Sequence, residues 1–66
     1  MTPAEVIGHT IRAARRAHGL TQEQLAELAG ASTRTIREIE KGSGGTSLDT
    51  VIAVAGVVGL RIGVIP

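Results

Sequence analysis

Between Thr33 and Lys41 the chain carries hydroxyl, guanidinium, carboxylate and ammonium groups at helical spacing, with Ile36 and Ile39 between them. At about 100° per residue, a helix that turns Ile36 to a core points Arg34, Glu38 and Lys41 away from it. Arg37 then lies at the flank, and Thr33 stands at the N-terminal end. Guanidinium forks suit a guanine edge or a phosphate. The Thr33 hydroxyl can donate to either, and its methyl can touch thymine. Glu38 differs, because a carboxylate accepts from cytosine but repels phosphate. The chemistry on offer is non-covalent recognition of a polyanion.

Other chemistry finds little to work with. No nucleophile has a base partner at a recognisable spacing, and no glycine-rich loop carries a phosphate-binding lysine. The chain has no cysteine and only two histidines, His9 and His18, too few for a self-contained zinc site. No enzyme activity, cofactor or metal is expected. Phe, Trp and Tyr are absent, which removes the stacking platforms of many single-strand and RNA binders. Net charge is only +1, but residues 1–41 hold six of the seven basic residues and five of the six acids. No segment resembles a targeting signal, and the apolar run Val51–Leu60 is shorter than the roughly 20 residues of a membrane span. A cytoplasmic protein without membrane contact is expected.

Four helical segments must position these groups. Thr2-Pro3-Ala4-Glu5 opens the first with a capping box and a proline suited to a first turn; Ile7, Ile11 and Ala14 follow on one face, and Gly19 is a stop. Thr21-Gln22-Glu23-Gln24 opens the second in the same way, with Leu25, Leu28 and Ala29 as its inner face and Gly30 at its end. Ser32 caps the third, Ile36, Ile39 and the stem of Glu40 face inward, and Gly42 stops it. Residues 42–46 form a loop. The fourth runs from about Leu48 to Val58, with Leu48, Val51, Ile52, Ala55 and Val58 in a stripe, and Ala53, Val54 and Val57 making the other side apolar too. A helix apolar all round is buried all round, more than one small protomer can provide.

A short helix, a tight turn at Gly30 and a second short helix is the helix-turn-helix geometry of DNA readers. The chain of 66 residues buries only about 60% of its unfolded surface and needs a staple. Without cysteines or metal, oligomerisation remains. The tail Leu60–Ile65 alternates on Leu60, Ile62 and Val64 and predicts a short β-strand, which needs a partner. Residues 1–59 are thus expected to form the DNA-binding domain and residues 60–66 a dimerisation strand, with Val54, Val57, Val58, Leu60, Ile62 and Val64 at the two-fold contact. Helix-turn-helix packing also occurs in protein-interaction modules that bind no specific DNA; the outward donors Gln22, Arg34 and Arg37 argue against that alternative.

Gly19-Leu20-Thr21-Gln22-Glu23-Gln24-Leu25-Ala26, Ala29-Gly30-Ala31-Ser32, Thr35–Gly42 and Ser47-Leu48-Asp49-Thr50 resemble the phage-repressor/Cro (XRE) family over nearly the whole chain. The resemblance implies an all-α, lambda-repressor-like bundle of four or five short helices that binds a pseudo-palindromic duplex operator as a homodimer. It implies that Gln22 binds a phosphate and buttresses the recognition helix, and that Ser32, Thr33, Arg34, Arg37 and Glu38 read bases or phosphates. Thr21, a cap first, and Lys41 complete the expected DNA contacts. It also implies that Arg15 pairs with Glu40 as a structural ion pair. The family often has proline where this chain has Thr46, and a larger apolar residue than Ala31. Thr46 and the apolar Leu60–Ile65 strand after the fourth helix further resemble HipB-like antitoxin subunits of persistence-kinase toxin–antitoxin pairs, which would add a kinase-like toxin as a partner.

Overall fold

A computed structural model describes residues 1–65, in which α1 (Pro3–Ala17), α2 (Gln22–Ala29), α3 (Thr33–Lys41) and α4 (Leu48–Val57) follow one another. Each helix starts on a hydroxyl: Thr2, Thr21, Ser32 and Ser47 accept from the backbone N–H groups of Glu5, Gln24, Thr35 and Thr50. In α1 and α2 the box closes, with Glu5 Oε1 accepting from the Thr2 N–H at 2.8 Å and Gln24 Oε1 from the Thr21 N–H at 2.9 Å. Each helix also stops at a glycine with positive φ, at Gly19, Gly30, Gly42 and Gly59. The next residue's N–H then reaches back to a carbonyl of the last turn: Leu20 to Arg15, Ala31 to Ala26, Ser43 to Glu38 and Leu60 to Ala55, at 2.9–3.2 Å. This is the Schellman closure, which satisfies carbonyls that the helix leaves open.

The core is aliphatic. Ile11, Leu25, Ile36 and Val54 are fully buried, with Ala26, Ile39, Ala55 and Val58 around them. It takes one stripe from each helix, with α1 packed on α3, and α2 on both α3 and α4. The α1–α3 approach is close because of Gly8, where a β-carbon would land on the Ile39 carbonyl. That contact sets how α1 lies behind α3.

Three expectations are corrected. Leu28 is 62% exposed: in so short a helix Leu25, Ala26 and Ala29 span the packed side, and Leu28 falls about 100° from its centre. In α4 the buried face is Val54, Ala55 and Val58, with Val51 and Val57 half-buried, whereas Leu48 and Ile52 are exposed. From Val51 onward α4 is apolar on every side and has no periodicity to orient it, so packing against α2 chooses the face. Val54 and Val58 are therefore core residues of the protomer, not dimer contacts. Finally, residues 60–65 form no strand. No other strand exists among the described residues to pair with, and Leu60 and Ile62 instead pack half-buried against the chain's own core. Val64 and Ile65 stay almost wholly exposed. Pro66, the end of the expected dimerisation segment, lies outside the described residues.

Candidate nucleic-acid interface

A buried ionic clamp underlies the outward face of α3. Arg15 Nε donates to Glu40 Oε2 at 2.7 Å and Arg15 Nη2 to Glu40 Oε1 at 3.1 Å, a bidentate pair. Arg15 Nη1 donates to the Leu20 carbonyl at 2.8 Å, and Gln22 Nε2 to Glu40 Oε1 at 3.2 Å. The side chains of Arg15 and Glu40 are 11% and 4% exposed. The hydrogen bond to Glu40 raises the Arg15 pKa further, against the opposing effect of burial. Arg15 thus stays charged at any working pH. Charges this dry are tolerable only when every polar atom is satisfied, and among the described residues no buried side-chain polar atom lacks a partner. The clamp fixes the start of α2 and the end of α3 to α1.

On this base α3 stands as a ridge between two clefts. On one side a cleft of about 400 Å³ is lined by Arg12, Gln22, Arg37 and Lys41 over the Arg15–Glu40 pair. On the other, a cleft of about 500 Å³ runs between α3 and the α3–α4 loop and includes Arg34, Thr35, Glu38, Gly45 and Thr46. Arg34, Arg37 and Lys41 are exposed, while Thr33, Glu38 and Gln22 are half-buried. None of the three cations forms an ion pair among the described residues. Ser32 and Thr21 are exposed but engaged as caps, and Ser32 Oγ also lies 2.9 Å from Thr35 Oγ1. The structure therefore gathers Gln22, Arg37 and Lys41 at one cleft and Arg34 and Glu38 at the other. The proposed dimer residues lie elsewhere, on α4 and the tail.

Three residues stand outside the contacts expected from the sequence. Arg12 joins the first cleft; its spacing of three from Arg15 puts both on one face of α1, and that was the available signal. Ser43 donates its hydroxyl to Glu38 Oε2 at 2.8 Å, a contact created by the path of the loop and invisible in periodicity. Gly8 is silent in sequence because its role is to be absent. His9 is exposed, and His18 is too, although its Nε2 lies 3.2 Å from the Val58 carbonyl and ties the end of α1 to the end of α4. No described helix is long and apolar enough to cross a membrane.

A helix-turn-helix family model matches residues 11–65. An immunity repressor protein of Bacillus phage phi105 is 41% identical over 59 residues, which cover 89% of this chain and 41% of that protein. The chain thus spans about two-fifths of the length of that relative. The matched stretch contains α2, its turn, α3 and the clamp that braces them, and on that basis the chain belongs to the helix-turn-helix family of the phage-repressor (XRE) type.

Proposed function

We propose that this chain is a sequence-specific duplex-DNA-binding regulator that acts as a repressor, with α3 in the major groove. The observation that carries the reading is the set of cations Arg34, Arg37 and Lys41, unpaired among the described residues, on a helix anchored by the Arg15–Glu40–Gln22 clamp. A ridge flanked by clefts suits a rod inserted between two phosphate walls. Arg34 and Arg37 read base edges, with Thr33 at the helix start; Gln22, Lys41 and Arg12 meet the phosphate wall beside the first cleft, and Thr21 and Ser32 follow at the caps. The similarity to a phage immunity repressor supports repression as the outcome.

The protein works as a homodimer in this reading. Leu48 and Ile52 on α4, with Val64 and Ile65 in the tail, leave apolar surface in water, and a two-fold contact there pairs two α3 helices on a pseudo-palindrome about 34 Å, or a multiple of it, apart. A kinase-like toxin partner rests on the resemblance to HipB-like antitoxins alone, whereas the similarity to an immunity repressor makes repression the function proposed. Titration of duplex DNA at several salt concentrations tests the reading. Binding should weaken steeply with salt, log–log, as phosphate contacts release counterions. A chain that binds no duplex at low salt would be a protein-interaction module instead.

A further inference from the structure

Glu38 carries the wrong charge for a polyanion, yet it lies on the outward side of α3, in the cleft it shares with Arg34. Arg34 precedes it by one turn, but the two form no ion pair. Glu38 is held from the loop instead. Ser43 Oγ donates to Glu38 Oε2 at 2.8 Å, and the Ser43 N–H donates to the Glu38 carbonyl at 3.2 Å. The second bond is the closure that stops α3, so the helix stop itself sets where the Ser43 side chain begins. Gly42 pins that path: its φ is +78°, and a β-carbon there would lie 2.6 Å from Glu5 Cα. At that stop the backbone lies against α1 with no room for a side chain.

This arrangement engages Oε2 and leaves Oε1 without a hydrogen-bond partner among the described residues. A mobile glutamate on a DNA-facing helix can swing away from phosphates and cost little. One tethered by Ser43 loses that freedom. It lowers affinity for every duplex except one that places an amino group opposite Oε1. In the major groove, cytosine N4 is that donor; adenine N6 sits beside the N7 acceptor, which a carboxylate cannot satisfy.

We infer that Glu38 is a specificity-determining residue that selects cytosine, and that Ser43 is the positioning residue that sets its selectivity. The inference rests on the duplex-DNA reading above. The test is enrichment from a pool of random-sequence duplexes by the full chain and by Glu38→Gln, Ser43→Ala and Ser43→Thr. The full chain should enrich a motif with a cytosine position. Glu38→Gln should move that position to adenine, which a carboxamide pairs bidentately. Ser43→Ala should reduce the cytosine preference about ten-fold with the other positions and the melting temperature unchanged, and Ser43→Thr should restore it. If the full chain enriches nothing, the DNA reading itself is overturned. A motif that is identical for the full chain and Glu38→Gln removes Glu38 as a reader. A Glu38→Gln shift with an unaltered Ser43→Ala motif, or a Ser43→Ala loss spread evenly over all positions, overturns the role of Ser43.

Discussion

Arg15 and Arg16 are adjacent, chemically identical and placed in opposite surroundings. Arg15 is buried against Glu40, whereas Arg16 is exposed and unpaired among the described residues. Removing one member of a buried pair strands the other charge and costs about 3–5 kcal/mol, much of the total stability of so small a domain. Arg15→Ala should lower the melting temperature by more than about 10 °C, at roughly 4–8 °C per kcal/mol, and Arg16→Ala should scarcely move it. Equal small shifts in far-UV circular dichroism melts would show that the clamp contributes little. The outward residues divide differently. Arg34→Ala should cost about 1–3 kcal/mol on the preferred sequence and relax discrimination, while Gln22→Ala should weaken all duplexes alike. Equal losses for Arg34→Ala on preferred and random duplex would make Arg34 a phosphate contact rather than a base reader. Gln22→Ala also removes a bond to Glu40, so its melting temperature must be measured beside its affinity.

At the level of the helices, starts and stops were written in the sequence because their chemistry is local. A hydroxyl three residues before its N–H, or a glycine at the end of a helix, needs no knowledge of the rest of the chain. Which face of each helix turns inward was legible only where polar residues marked the other side. In α3 charges alternate with Ile36 and Ile39, and the inward face is the expected one, down to the buried Glu40. In α4 the polar residues Asp49 and Thr50 mark only the first turn, and beyond it tertiary packing decided between two apolar sides. The same reasoning separates the glycines. Gly8→Ala forces a methyl into the Ile39 carbonyl and should destabilise by about 1–3 kcal/mol or more, as overpacking does. Gly45→Ala meets open space at ordinary backbone angles and should be neutral in a urea titration; comparable losses at both would mean that α1 and α3 can separate freely. Acid should act on the first box. The Thr2 N–H holds the Glu5 carboxyl below its ordinary range. Its stabilisation is therefore complete above the unfolded carboxylate pKa and fades as pH falls through the lower folded value. Glu5→Gln should remove that part of the acid sensitivity from melts below pH 5, and an unchanged profile would assign it to other carboxyls.

For the molecule as a whole, the strand expected at the tail was a reading of β-branched residues and alternation, with its partner placed in a second copy. Alternation shows which side chains share a face, not whether a neighbouring strand exists. Leu60 and Ile62 share a face, and α1 and α4 supply the surface it covers. Deleting residues 60–66 would therefore damage the core as well as any dimer, so a surface change on α4 is the cleaner probe. Ile52→Lys should leave the fold intact, shift the sedimenting species from dimer to monomer, and lower operator affinity by at least an order of magnitude through lost bivalency. A protein that stays dimeric with Lys at position 52 would place the two-fold contact elsewhere. The paired hydroxyl starts and glycine stops also bear on how fast the chain finds this shape. Because each helix is delimited by its own ends, little long-range pairing must be solved before the helices dock, and domains of this kind fold in roughly microseconds to milliseconds. Without Trp or Tyr the event is invisible to intrinsic fluorescence. An infrared temperature jump should find a single relaxation within about a millisecond. Gly30→Ala, which strains only the α2 stop because open space surrounds that position, should slow it if the turn into α3 forms before the helices dock.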